Sequence, residues 1–212
     1  MSEISANEPE KTQKVSDLKR AAILDAAITE FSEQGFEATS MDKIAAIAEV
    51  SKRTVYNHFP SKEVLFTEIL GKLWEKSAAQ LELEYKPGRP IRAQLEELLW
   101  LKMETLSNPT FIKLARVVMA EMIHSPERAS DMVNRLGKRE EGITLWIRAA
   151  NADKRLMVDD VPFASQQLQS LIKSFAFWPQ VTLNQSALPE AEQEKVIQSA
   201  LDMFLSAYAI VE

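Results

Sequence analysis

Serine recurs at positions 40, 51 and 61 of this chain, each time just ahead of a short amphipathic run. A serine hydroxyl accepts a hydrogen bond from a backbone N–H of the first helical turn, which makes it a strong N-cap. The stretch TSMDKIAAIAEVSKRTVYNHFPSK, residues 39–62, therefore predicts the starts of three closely spaced helices. Helices this short do not persist alone in water and must be packed against something. Ile44, Ala45 and Ala48 give the first a narrow apolar stripe. Val55 and Phe59, four apart, turn the second toward a core, and Pro60 ends it.

The remaining punctuation extends this pattern in both directions. Residues 1–15 are polar and aperiodic and read as a flexible arm. Ser16 or Asp17 caps a helix carrying Leu18, Ala22, Ile23, Ala26, Ala27 and Phe31 at helical spacing, and Gly35 closes it as a C′ glycine. Ser61 opens a long fourth helix bearing Val64, Leu65, Ile69, Leu73, Trp74 and Leu81, expected to end near Tyr85. The segment KPGRP, residues 86–90, is a linker. A further helix spans Ile91 to Ser107. Asn108-Pro109 and Ser125-Pro126 mark two more starts, the second expected to run to about Ala152 despite Gly137 and Gly142. Asp160 with Pro162 starts a helix to about Phe177, residues 179–187 form a loop, and Pro189 opens the last helix, to about Ala209. No strand-like alternation appears, so the fold class is all-α. The domains expected are the arm (1–15), a helix-turn-helix unit (16–61) and a helical bundle (62–212).

Composition narrows the function. With no cysteine, two histidines and no HExxH or glycine-rich phosphate loop, thiolate, metal and nucleotide chemistry lack their residues, and no cofactor is expected. Glu96-Glu97 and Glu140-Glu141 are adjacent pairs that diverge on a helix, as solvated surface does. No signal-type apolar core or membrane-length apolar run is present, which points to the cytoplasm. The net charge of −6 argues against a non-specific coater of nucleic acid, yet leaves room for a local cationic face at Lys52, Arg53 and Lys62.

Residues 38–63 resemble the DNA-binding region of the TetR family of bacterial transcriptional regulators. The likeness rests on Ala38-Thr39, Ile44-Ala45, Ala48 through Ser51, the run Thr54-Val55-Tyr56-Asn57-His58-Phe59, and Ser61-Lys62-Glu63. FIKLARVVMAE, the RAANADKRLMVDD stretch and the ending FLSAYA look like the ligand domain of AefR-like members. The resemblance implies phosphate contacts from Thr39, Ser40, Tyr56, His58 and Lys62. It implies base or groove contacts from Lys52, Arg53, Thr54 and Asn57, with Ser51 at the helix start and Met41 on the flank. Arginine and lysine suit guanine, asparagine adenine, and the threonine methyl thymine. Where the family carries glycine between these helices, this chain has Glu49, at a cost of about 1 kcal/mol if the position is left-handed.

The same resemblance implies a homodimer on a palindromic double-stranded operator, joined through the last two helices. Leu168, Leu171, Ile172, Phe175, Val196, Leu201, Phe204, Leu205 and Tyr208 are the candidate surface. An apolar or amphipathic small-molecule inducer would bind among Trp74, Trp100, Met103, Phe111, Val118, Met119, Met122, Trp146, Phe175 and Trp178. Two other readings remain open on the residues alone: a regulator or activator without a ligand, and a helical lipid or small-molecule carrier that binds no DNA.

Overall fold

The computed structural model describes residues 8–79, 84–127, 130 and 142–210. Its helices are α1 (Glu8–Ala38), α2 (Met41–Ile47), α3 (Lys52–His58), α4 (Lys62–Ala79), α5 (Ile91–Ser107), α6 (Pro109–His124), α7 (Gly142–Ala152), α8 (Val161–Ala176), α9 (Trp178–Leu183) and α10 (Glu190–Tyr208). Among the described residues, extended pairing is limited to one antiparallel bridge between Leu156 and Ala209. The all-α expectation holds.

Local side chains set five of the ten described helix starts. Ser40 accepts from the Lys43 N–H at 3.2 Å, Ser51 from Thr54 at 3.1 Å and Ser61 from Val64 at 3.3 Å. Asn108 accepts from the N–H groups of Thr110 and Phe111, and Asp160 from that of Phe163. Each bond satisfies donors that have no partner within the helix.

Several expected boundaries move. Helix α1 already begins at Glu8, inside the stretch expected to be an arm; Pro9 falls in its first turn, where no N–H is needed. At the start expected at Ser125-Pro126, α6 has ended at His124, Ser125 is non-helical, and residues 126 and 127 are helical again. Helix α7 carries the described end of that stretch, Gly142–Ala152, and what lies between them falls mostly outside the described residues. Gly137, like Leu81, lies outside the described residues. Within the expected loop at 179–187, Trp178–Leu183 form α9. Pro179 starts this helix rather than preventing it, since a proline in the first turn costs no hydrogen bond. The buried Gln180 amide donates to the carbonyls of Leu106 and Ala176, and Arg116 donates to the Gln180 carbonyl and to Asn184 Oδ1. Asn184, left-handed at φ 56°, ends α9.

The chain divides into two compact units. One comprises α1 to α3, most of α4 and the second half of α6; the other comprises the remainder. The first therefore continues past the boundary expected at residues 61/62, because α4 supplies part of its core. Leu65, Phe66 and Ile69 are buried with Ile23, Ala27, Phe31, Ile44, Val55 and Phe59. The rings of Phe31, Phe36 and Phe66 meet with centroids 5.3–5.8 Å apart. The second unit has its own core, in which Leu98, Met103, Trp146, Ile147, Leu168, Ile172, Leu201 and Phe204 are buried. Tyr85 packs edge-on against Trp146 at 5.6 Å and bonds to Asp153.

Candidate nucleic-acid interface

The geometry of α2 and α3 is set by the turn between them. The Val50 N–H bonds to the Ala45 carbonyl and that of Glu49 to Ala46, a Schellman arrangement with Glu49 left-handed at φ 53°. The glutamate thus occupies the position where glycine is favoured. Helix α3 then buries Val55, with Phe59 buried as its C-cap, at 0% and 1% exposure. Residues 52, 53, 56 and 57 are thereby left on the opposite surface, since positions four apart share a helix face. Lys52, Arg53, Tyr56 and Asn57 are exposed, as are Ser40 and Ser51; Thr54 and His58 are half-buried. The His58 ring leans toward Phe59 at 6.3 Å. Ser51 and Thr54 share a hydroxyl contact of 2.8 Å, so both side chains help to fix the start of α3.

Three expected contacts are placed differently. Thr39 is 3% exposed, and its hydroxyl donates 2.7 Å to the Gly35 carbonyl, so that donor is spent inside the unit. Met41 is buried in the core rather than flanking a groove. Lys62 sends its ammonium back to the end of α1. It donates to the carbonyls of Phe36, Glu37 and Thr39 at 2.6, 3.1 and 3.2 Å and lies 4.5 Å from the centre of the Phe36 ring. Cations favour helix C-termini because the last carbonyls carry partial negative charge. The chain after Gly35 offers such carbonyls, and Gly35 itself (φ 79°, ψ 169°) occupies backbone space essentially reserved for glycine.

Other side chains, not foreseen from sequence, hold the surface in place. Glu30 on α1 is buried and accepts from Lys43 on α2 at 2.6 Å. Arg20 sits 5.0 Å over the Phe59 ring and pairs with Glu68 at 2.8 Å. That hydrogen bond holds the Glu68 carboxyl below its ordinary range, against the opposing effect of partial burial. Asp42, in the first turn of α2, pairs with Lys52. The sequence hints only at the charges; their pairing depends on residues brought together by the fold.

The surface is thus made of a short supporting helix and a second helix whose outer face carries Lys, Arg, Tyr and Asn. The family model for TetR-type bacterial regulatory proteins matches residues 23–69. The C-terminal domain of AefR-like transcriptional repressors matches residues 93–210. The chain belongs to the TetR family of DNA-binding transcriptional regulators. A TetR family regulator from Pseudomonas syringae pv. tomato str. DC3000 is 52% identical, with a TM-score of 0.83 over 92% of this chain and 98% of that one. The Flavonoid-responsive Regulator FrrA is 26% identical, with a TM-score of 0.66 over 92% of this chain and 98% of its own. The HTH-type transcriptional regulator AcrR of Shigella flexneri is 34% identical over 58% of this chain; the match spans 56% of AcrR, a little over half its length. TetR-type α2 and α3 are thus the elements shown above, with α3 presenting the polar face.

The residues expected at a ligand pocket and a dimer surface of this TetR-family chain divide sharply by burial. Met103, Phe111, Val118 and Trp146 are buried, Trp100, Met119 and Met122 are half-buried, and the side chain of Trp74 lies outside the described residues. Phe175 (56% exposed) and Trp178 (45%) face solvent in this chain. Of the candidate dimer residues, Leu168, Ile172, Leu201 and Phe204 are buried in the chain's own core, a correction to the expected surface. Leu171 and Tyr208 of the same set line an open groove of about 480 Å³ along α8 and α10, joined there by Phe163, Met203 and Ala207 and floored by Leu168 and Phe204.

Proposed function

We propose that this chain is a homodimeric, ligand-responsive repressor whose α3 reads a palindromic operator. The observation carrying the reading is the division of α3 into a buried Val55–Phe59 side and an exposed side with Lys52, Arg53, Tyr56 and Asn57. Arg53 and Asn57 offer the donor patterns that recognise guanine and adenine edges, Lys52 a point charge for guanine, and Tyr56 a hydroxyl for phosphate. Ser40, Ser51, Thr54 and His58 lie around this face and complete the proposed DNA contacts. Lys62 joins them only by giving up carbonyl bonds to α1.

One such helix reads too few base pairs for useful discrimination, and a two-fold dimer doubles the site with half-sites roughly 34–36 Å apart. Phe163 and Met203, more than half exposed on α8 and α10, support that interface. Release from DNA is by population shift. A small apolar or amphipathic ligand in the second unit favours a dimer with wrongly spaced heads. A preference of about 3 kcal/mol weakens operator binding roughly 150-fold. The flavonoid response named for FrrA supports a small-molecule signal of this kind. Among the described residues no helix is long and apolar enough to cross a membrane, which fits a regulator acting on DNA in the cytoplasm.

Selection of bound duplexes from random DNA tests the reading. A palindromic consensus with salt-sensitive affinity is expected. A chain that enriches no sequence at low salt is not an operator-binding protein, and its buried apolar residues would then favour the carrier.

A further inference from the structure

We propose that Asp42 is a positioning residue for base reading: it holds the Lys52 ammonium and withdraws it from general phosphate binding. The inference rests on the DNA-reading role of α3. Lys52 is the first residue of α3, where the helix end carries partial positive charge and does not itself hold a cation. Its Nζ is found on Asp42 Oδ2, a carboxylate ten positions earlier on a different helix. The two side chains are 66% and 53% exposed, so the pair stands in solvent on the α2–α3 surface.

Stabilising the fold does not account for it. Exposed ion pairs contribute little, and α2 and α3 are already joined by the Glu49 turn and buried Ile44, Ala45 and Val55. The electrostatic consequence is larger. Of the two adjacent cations opening α3, Lys52 is neutralised locally, whereas Arg53 is exposed with no ion pair among the described residues. Lys52 displaces phosphate counterions only by giving up its carboxylate. Where a G·C pair meets this position, the carboxylate accepts from cytosine N4 while the ammonium donates to guanine O6 or N7. Elsewhere the carboxylate faces phosphate oxygens or base acceptors and opposes binding. Asp42 therefore lowers affinity for arbitrary sequence and raises discrimination.

The test compares wild type, Asp42→Asn, Asp42→Glu, Lys52→Met and the Asp42→Asn/Lys52→Met double variant, as full chains. Each is put through selection from random duplex, salt titration on random and selected DNA, and thermal unfolding. For Asp42→Asn, binding to random DNA tightens and the slope of log K against log salt steepens by about 0.9 per subunit as Lys52 reaches phosphate. Preference at one G·C position of each half-site falls about tenfold, while the melting temperature stays put. Asp42→Glu retains the wild-type preference, and in the Lys52→Met background Asp42→Asn leaves the salt slope unchanged. An Asp42→Asn variant with an unchanged consensus and salt slope overturns the proposal, as does one that melts early and loses all sequences alike. If wild type itself selects no consensus, the DNA-reading role fails first and the proposal falls with it; a wild-type consensus with unaltered variants condemns the proposal alone.

Discussion

Replacing Lys62 by methionine keeps most of the side chain's apolar volume and removes its donors. In the wild type those donors meet the carbonyls of Phe36, Glu37 and Thr39, and the ammonium lies over the Phe36 ring. A hydrogen bond to a charged group contributes about 1.5–3 kcal/mol when well shielded. Here the bonds to Phe36 and Thr39 are part-buried and the one to Glu37 is exposed, so screening and water replacement take back much of the sum. A net loss of about 2–3 kcal/mol is expected, corresponding to a fall of about 5–10 °C in melting temperature for a chain of this size. Circular dichroism or calorimetry on the full chain measures it. Salt titration of operator binding provides the second reading: if the ammonium is committed to the protein, the slope of log K against log salt does not change. An unaltered melting temperature together with a slope reduced by about 0.9 per subunit would refute the structural role and return Lys62 to the phosphate backbone.

Glu49→Gly removes the left-handed strain at φ 53° and should raise stability by up to about 1 kcal/mol, part of which is returned through the greater freedom of the unfolded glycine; a denaturant midpoint that falls refutes this. Tyr56→Phe should weaken all DNA sequences alike, whereas Arg53→Ala should reorder operator variants; an unchanged ranking for Arg53→Ala removes its base-reading role. Burial and then the bond to Asp153 push the Tyr85 phenol up to about 12 from an ordinary 10.0. Its folded pKa is raised, so its contribution is complete below pH 10 and disappears as pH rises through about 12; alkaline unfolding in that window should shrink in Tyr85→Phe. Glu68 has the opposite sign. Its lowered folded pKa stabilises above the ordinary glutamate range and is lost on acidification, so Arg20→Met should flatten that part of the acid limb.

Much of the fold is legible in the chain because its punctuation is local. Ser40, Ser51, Ser61, Asn108 and Asp160 cap helices through atoms two or three residues away. Such bonds require nothing from the rest of the molecule. The division of α3 was equally local, since Val55 and Phe59 are one helical turn apart. Partners distant in sequence are a different matter, because only packing brings them together. Whether Lys62 serves DNA or the end of α1 depends on carbonyls 23 to 26 residues away. Whether Thr39 faces water depends on the kink at Gly35, and the restraint on Lys52 depends on how α2 packs beside α3. In the second unit, Leu168, Phe175 and Phe204 stand alike in the sequence as apolar candidates for the dimer surface. Only the packing of α8 and α10 buries Leu168 and Phe204 and leaves Phe175 outside. A helix fixes the angle between its side chains, but the direction of the core is set by the neighbours against which it settles.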